Sequence, residues 1–269
     1  MISSRQFQVA PTQERDNQMS VPQHHTSPAS VFLKEEVYRL GALPGVRSLP
    51  PGPERDFLTL SWGPIIYRTS YAPETKRLLP VFLRYLNNSV HRALRRTFTG
   101  SDEEIETLTT TYSSKVFSSP EIYAKLNEES IRQAFHDFKV SLGLPETELP
   151  SRLRICLMLD DEALAHLKCV LDLSSMAEEN ADVGGCWVKV VEENFPDSRM
   201  GDHPLAKHDM ECAPDCVEEH RGRYHGWTRV ALDALVEVFD GLRQMKWLVD
   251  YHREGNVYLG DGKWRSISS

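Results

Sequence analysis

What this chain lacks narrows its class before any motif is read. No stretch approaches the ~20 consecutive apolar residues of a bilayer-crossing helix, and the opening MISSRQFQVAPTQERDNQMS has no apolar run of the secretory kind. Cysteine is sparse and odd in number, five in 269 residues (Cys156, Cys169, Cys186, Cys212, Cys216). That argues against a disulfide framework and for reduced thiols, so the expected location is cytoplasmic or nuclear. Positive charge is in deficit: 31 Lys plus Arg against 39 Asp plus Glu leave a net −8. Such a field repels phosphate polymers and anionic lipid surfaces, so neither nucleic acid nor membrane is expected as a partner. The catalytic and cofactor signatures G-x-S-x-G, H-E-x-x-H and G-x-G-x-x-G are missing. Gly255 and Gly260 have the gap of a phosphate loop, but Asp261 stands where lysine is required. There is no internal repeat of ~20–50 residues.

What is present is ordinary globular material, 40% hydrophobic and 26% charged, enough for one sizeable core. Residues 1–29, rich in Gln, Ser, Pro and Thr, read as a disordered arm. Ser30 is placed to cap a short helix with Leu33, Val37 and Leu40 on one face, and the Pro/Gly mixture that follows, to residue 56, reads as a linker. Residues 57–269 then form a single domain with a long loop at 196–226. Strands are expected at IIYRT (65–69), TLTTTY (107–112), LRICLML (153–159), WVKVV (187–191) and WTRVAL (227–232). Helical spacing marks 77–96, the segment announced by Ser119-Pro120-Glu121, the segment after Asn127, the segment capped by Asp160, and ALVEVFDGL capped by Asp233. Mixing without strict βαβ periodicity points to an α+β fold, one mixed or antiparallel sheet with helices mainly on one face; the alternative is an α/β three-layer, doubly wound parallel sheet.

Four blocks, IYRTSYAPE (66–74), RLRICLMLDDEAL (152–164), GCWVKVVEENF (185–195) and HGWTRVALDALVEVFD (225–240), in this order, resemble a broad group of uncharacterised filamentous-fungal intracellular proteins. In that group the loop between the last two blocks is often acidic; here it holds PDSRMGDHPLAKHDMECAPDCVEEHRGRYH instead. The resemblance implies fold and location and brings no activity with it.

Four constellations could carry chemistry or binding. His208, Cys212, Cys216 and His220 recur every four residues, flanked by His203 and His225, and are borderline-soft ligands suited to zinc. Pro214 interrupts any helix that would present them on one face, so a polar loop or a redox pair Cys212/Cys216 are the other readings. Asp160, Asp161 and Glu162, where a buried strand meets a helix, could hold Mg²⁺ or act as acid and base with His166 near, though acids in a first helical turn also serve the cap and dipole. Trp62, Trp187, Trp227 and Trp247 could line a cleft or pack the core. The basic face Arg84, His91, Arg92, Arg95, Arg96 suits an acidic partner or plain solvation. The expected function is a non-catalytic interaction or regulatory protein with a protein partner and no organic cofactor; the alternatives are a small-molecule enzyme with a Trp-lined cleft and a zinc-stabilised binding module.

Overall fold

A computed structural model describes residues 27–144, 149–174, 185–193, 195 and 224–267. Seven strands, β1 (Ile65–Arg68), β2 (Lys115–Phe117), β3 (Ile155–Leu159), β4 (Trp187–Glu192), β5 (Trp227–Ala231), β6 (Asn256–Gly260) and β7 (Lys263–Ser266), form one sheet in the order β2-β1-β3-β4-β5-β6-β7. β1 lies parallel to both β2 and β3, and β6 parallel to β5, whereas β3–β4, β4–β5 and β6–β7 are antiparallel. With half of its neighbour pairs antiparallel, the sheet is mixed and the fold is α+β, which sets aside the doubly wound alternative; helices cover both faces of the sheet rather than mainly one.

The pleat sorts side chains to two faces. Ile66, Leu157, Val188, Val190 and Val230 join the larger cluster, with Phe32, Phe82, Leu86, Leu164 and Phe239. These come from helices α1 (Pro28–Leu33), α5 (Leu78–Thr97), α9 (Asp161–Ser174) and α10 (Leu235–Arg243). Ile65, Tyr67, Cys156, Met158 and Val191 join the smaller cluster beneath α4 (Pro53–Leu60) and α8 (Glu128–Ser141), with Leu58, Ile131 and Phe135.

The stripe Leu33, Val37, Leu40 is buried in these clusters, and Phe32 with it. Each such side chain contributes about 1.5–3 kcal/mol, so this face is occupied within the molecule and is not open to a partner. α1 continues through one π turn (Lys34–Tyr38) into α2 (Arg39–Ala42). The segment read as a linker holds α3 (Pro44–Ser48) and the start of α4, because Pro44 and Pro53 each open a helix, where a missing N–H is harmless.

Two further expectations are corrected. TLTTTY is not a strand: residues through Thr110 belong to α6 (Asp102–Thr110). Ser101 and Glu104 form a capping box there, and Thr107, Thr109 and Thr110 turn their hydroxyls back onto carbonyls four residues earlier. Glu104 also accepts from Ser30 and Ser27, which with the Ser101 bonds holds its carboxyl down at about 2 and ties α1 to α6. Asp233 does not cap α10, whose N-cap is Ala234; its carboxylate takes Arg92 at 3.1 Å and its carbonyl takes Arg96 at 3.1 Å, so part of the basic face holds this turn in place. The segment rejected as a phosphate loop is a hairpin, with Gly260, Asp261 and Gly262 all at positive φ in the β6–β7 turn.

Candidate functional site

At the carboxyl ends of β1 and β2 the chain leaves in different directions. α5, which follows β1, packs in the larger cluster, while α8, on the path from β2 to β3, packs in the smaller. In open α/β sheets such a divergence leaves a crevice for ligands. Here it is bridged: Ser70 Oγ donates to Asp161, and Lys125 N–H donates to the Thr69 carbonyl at 3.0 Å.

Beside this closure Asp160 does two things. One carboxylate oxygen caps α9 by accepting from Ala163 N–H at 2.9 Å, and the other pairs with Lys189 at 2.7 Å. Lys189 also pairs with Glu128 at 2.7 Å and approaches Glu162 at 3.6 Å, while Glu162 takes Arg229 at 2.9 Å. Lys189 and Arg229 face each other across β4 and β5 and lie over the Trp227 ring at 4.8 and 5.1 Å. Burial alone pulls the Lys189 ammonium down, but its bonds to Asp160 and Glu128 outweigh that and its pKa is raised. For Glu128 burial pushes the other way, yet Lys189 prevails and its carboxyl is lowered. Both groups therefore stay charged, which suits an ion-pair network better than a proton shuttle.

Lys189→Met is expected to destabilise the fold by about 2 kcal/mol, below the full value for a buried pair because water reaches Glu128 and Glu162. In the wild type the Glu128 contribution is present above the ordinary carboxylate pKa and is lost as pH falls through its lowered value. In the variant Asp160 and Glu128 lose the cation they pair with, while Glu162 keeps Arg229, so acidification from pH 7 towards about 4.5 should instead recover stability. Urea titrations across pH check the reversal; parallel pH profiles for the two proteins contradict it.

The other sequence-selected residues scatter. His166 Nε2 lies 2.8 Å from the Gly185 carbonyl, with its ring 5.9 Å from that of Trp187. Trp62 is core, its indole N–H donating to the Leu108 carbonyl at 2.8 Å. Trp187 and Trp227 flank Arg229, so the tryptophans share no single cleft. Cys156 and Cys186 are buried, whereas Cys169 is exposed on α9 despite its apolar sequence neighbours. His208, Cys212, Cys216 and His220 lie outside the described residues. Among the described residues no group of three or more His, Cys, Asp or Glu side chains is placed to hold a metal ion.

At the other end of β3, where the chain enters that strand, a cleft of about 490 Å³ lies between the first helices, the end of α8, the approach to β3 and the end of α10. Its lining includes Glu35, Glu36, Arg39, Lys139, Arg154 and Arg243, with Met245 and Trp247. Lys139 is braced on Glu193, Arg154 on the Leu242 carbonyl at 2.6 Å, and Arg243 on Asp240 at 2.8 Å and Glu35 at 3.0 Å. Glu36 is fully buried behind them and accepts from Ser151 N–H at 2.8 Å and Arg152 N–H at 3.4 Å. Burial raises its carboxyl, the two N–H groups and the Arg152 charge opposing. Arg152 donates to the carbonyls of Phe57 at 3.0 Å and Leu58 at 2.7 Å, ending α4 against the cleft floor.

The end of α10 explains the exposed rim. Lys246 N–H bonds the Gly241 carbonyl at 3.0 Å and Met245 N–H the Leu242 carbonyl at 3.2 Å, a Schellman pattern. Its left-handed position is Met245, at φ 68°, where glycine is the usual occupant. Of the cleft residues, sequence reasoning had singled out Trp247 alone. The one available signal for the rest was an apolar-cationic run, Met245-Lys246-Trp247, placed just past a helix end.

No protein-family model, no curated protein and no solved structure matches this chain.

Proposed function

We propose that this chain is a non-catalytic interaction protein of the cytosol or nucleus, and that the cleft at the end of α10 receives an extended acidic segment of a protein partner carrying one large apolar side chain. The observation that carries it is the concentration of exposed large hydrophobics. Of six on the described surface, Met245 (81% exposed) and Trp247 (37%) line the cleft, while Tyr38 and Val140 adjoin its lining residues Arg39 and Lys139 in sequence. Trp, Tyr, Met and Arg are the residue types that carry interface energy. Arg39, Lys139, Arg154 and Arg243 against Glu35 and Glu36 give the lining two more cations than anions in a chain of net −8, which selects an anionic partner.

Selection of a displayed random-peptide library on the full chain tests this reading. Enrichment of acidic residues beside one aromatic or long aliphatic residue is expected; no enrichment, or enrichment of basic sequences, contradicts it.

Met245 separates function from folding. An exposed methionine in a left-handed conformation costs about 1 kcal/mol relative to glycine, so Met245→Gly should stabilise the chain by about 0.5–1 kcal/mol. The same change should weaken a selected peptide several-fold. Thermal melting and titration of that peptide read the two effects; a variant that is both more stable and equally tight removes Met245 from the binding surface.

A further inference from the structure

A second cavity, of about 340 Å³, is lined by Glu237, Lys246, Asp250, Tyr251, Tyr258, Asp261, Gly262 and Trp264. We infer that it binds an N-methylated or quaternary ammonium group. Three aromatic rings meet there edge to face, Tyr251 to Tyr258 at 5.0 Å and 70°, and Tyr258 to Trp264 at 5.3 Å and 64°. Rings so arranged present negative faces that attract a cation too bulky to hydrogen-bond. Three carboxylates, Glu237, Asp250 and Asp261, face the same space against one cation, Lys246. Glu237 is aimed by Tyr258 Oη and by Asp261 N–H at 2.9 Å.

Two observations independent of that acidity point to a ligand. Tyr251 is 3% exposed, lines the cavity, and its hydroxyl has no hydrogen-bond partner among the described residues; the Trp264 indole N–H is buried without one as well. Both atoms are shielded from solvent, so a hydroxyl or carbonyl carried next to the ammonium, as in choline or a peptide, satisfies them where the Tyr251 and Trp264 side chains turn toward it. The Arg253 guanidinium already stacks 3.7 Å from the Trp264 ring centroid, which shows that this indole attracts cations, and Arg253 is not among the residues lining the cavity. The Tyr251 hydroxyl is pushed far up, by burial first and then by neighbours that include Glu237 and Asp250, as a negative enclosure requires.

The test uses the full chain, labelled for observation of the Trp264 indole N–H resonance, and three probes: choline, its neutral isostere 3,3-dimethylbutanol, and a short peptide carrying trimethyllysine. The Trp264 signal should move with choline or with the peptide, and the alcohol should bind at least about tenfold more weakly. Tighter binding of the peptide identifies a protein-borne ammonium, and choline alone a free small molecule. Asp261→Asn keeps a residue that tolerates the left-handed turn while removing one charge, and should weaken the cation a few-fold. An alcohol as tight as choline reduces the site to a plain apolar pocket, and no movement of Trp264 at about 10 mM probe removes it; either overturns the inference without touching the cleft beside α10.

Discussion

Arg152→Met is expected to lower the free energy of unfolding by about 3–5 kcal/mol, the largest stability loss of any single substitution considered for this fold. The guanidinium is wholly buried, ends α4 by donating to the Phe57 and Leu58 carbonyls, and lies over the Phe57 ring at 5.1 Å. Methionine matches its length but leaves the Leu58 carbonyl without the guanidinium and the Phe57 carbonyl with only Ser61 Oγ, an unpaired buried acceptor costing about 1–3 kcal/mol, and leaves Glu36 without the positive charge that lowers its carboxyl. Because the Glu36 pKa is raised in the fold, its contribution is largest below the ordinary carboxylate value and declines as pH rises through the raised one; the Arg152→Met deficit should therefore grow with pH. Glu36→Gln keeps an acceptor for Ser151 and removes the charge, so in the Arg152→Met background it should recover about 1–2 kcal/mol. Denaturant titration of the four proteins in the cycle decides the matter; a single-variant loss under about 1 kcal/mol means the buried charges are not what joins the first helices to β3.

Trp247→Ala should weaken an acidic peptide in the cleft by about 30- to 1,000-fold, the range of a central tryptophan hot spot. Stability should change by about 1 kcal/mol or less, because over a third of this side chain is already in water. Arg243→Lys should weaken the peptide less and raise its sensitivity to salt, since a flexible ammonium replaces a guanidinium held by Asp240 and Glu35. Titration of one selected peptide into each variant at two salt concentrations separates the apolar from the electrostatic share. A peptide bound equally by wild type and Trp247→Ala moves the binding surface elsewhere.

The central strands were legible because IIYR, ICLML, WVKVVE and WTRVA are mostly apolar or β-branched, with single charged residues at Arg68, Lys189, Glu192 and Arg229, a composition that suits a sheet covered on both faces. The strands missed, β2, β6 and β7, are three to five residues long with half-exposed positions, and they sit at or near the sheet edges, where tertiary pairing decides. TLTTTY misled because threonine favours strands intrinsically, while the Ser101–Glu104 capping box outweighed that preference. The cap at Asp160 could be read locally. Its second partner, Lys189, could not: it arrives only through the β3–β4 register that sets Met158 against Lys189. The cleft was least legible, since Arg39, Lys139, Arg154 and Trp247 come from four separated segments with no common spacing.

Amide hydrogen exchange of the whole chain, with and without a peptide selected from the library, tests most directly whether the cleft is where a partner sits. Added protection should concentrate at residues 35–39, 149–154 and 243–247, leaving the Asp160–Lys189 network unchanged. Protection centred on that network instead, or none despite saturated binding, would contradict the interaction surface assigned to the end of α10.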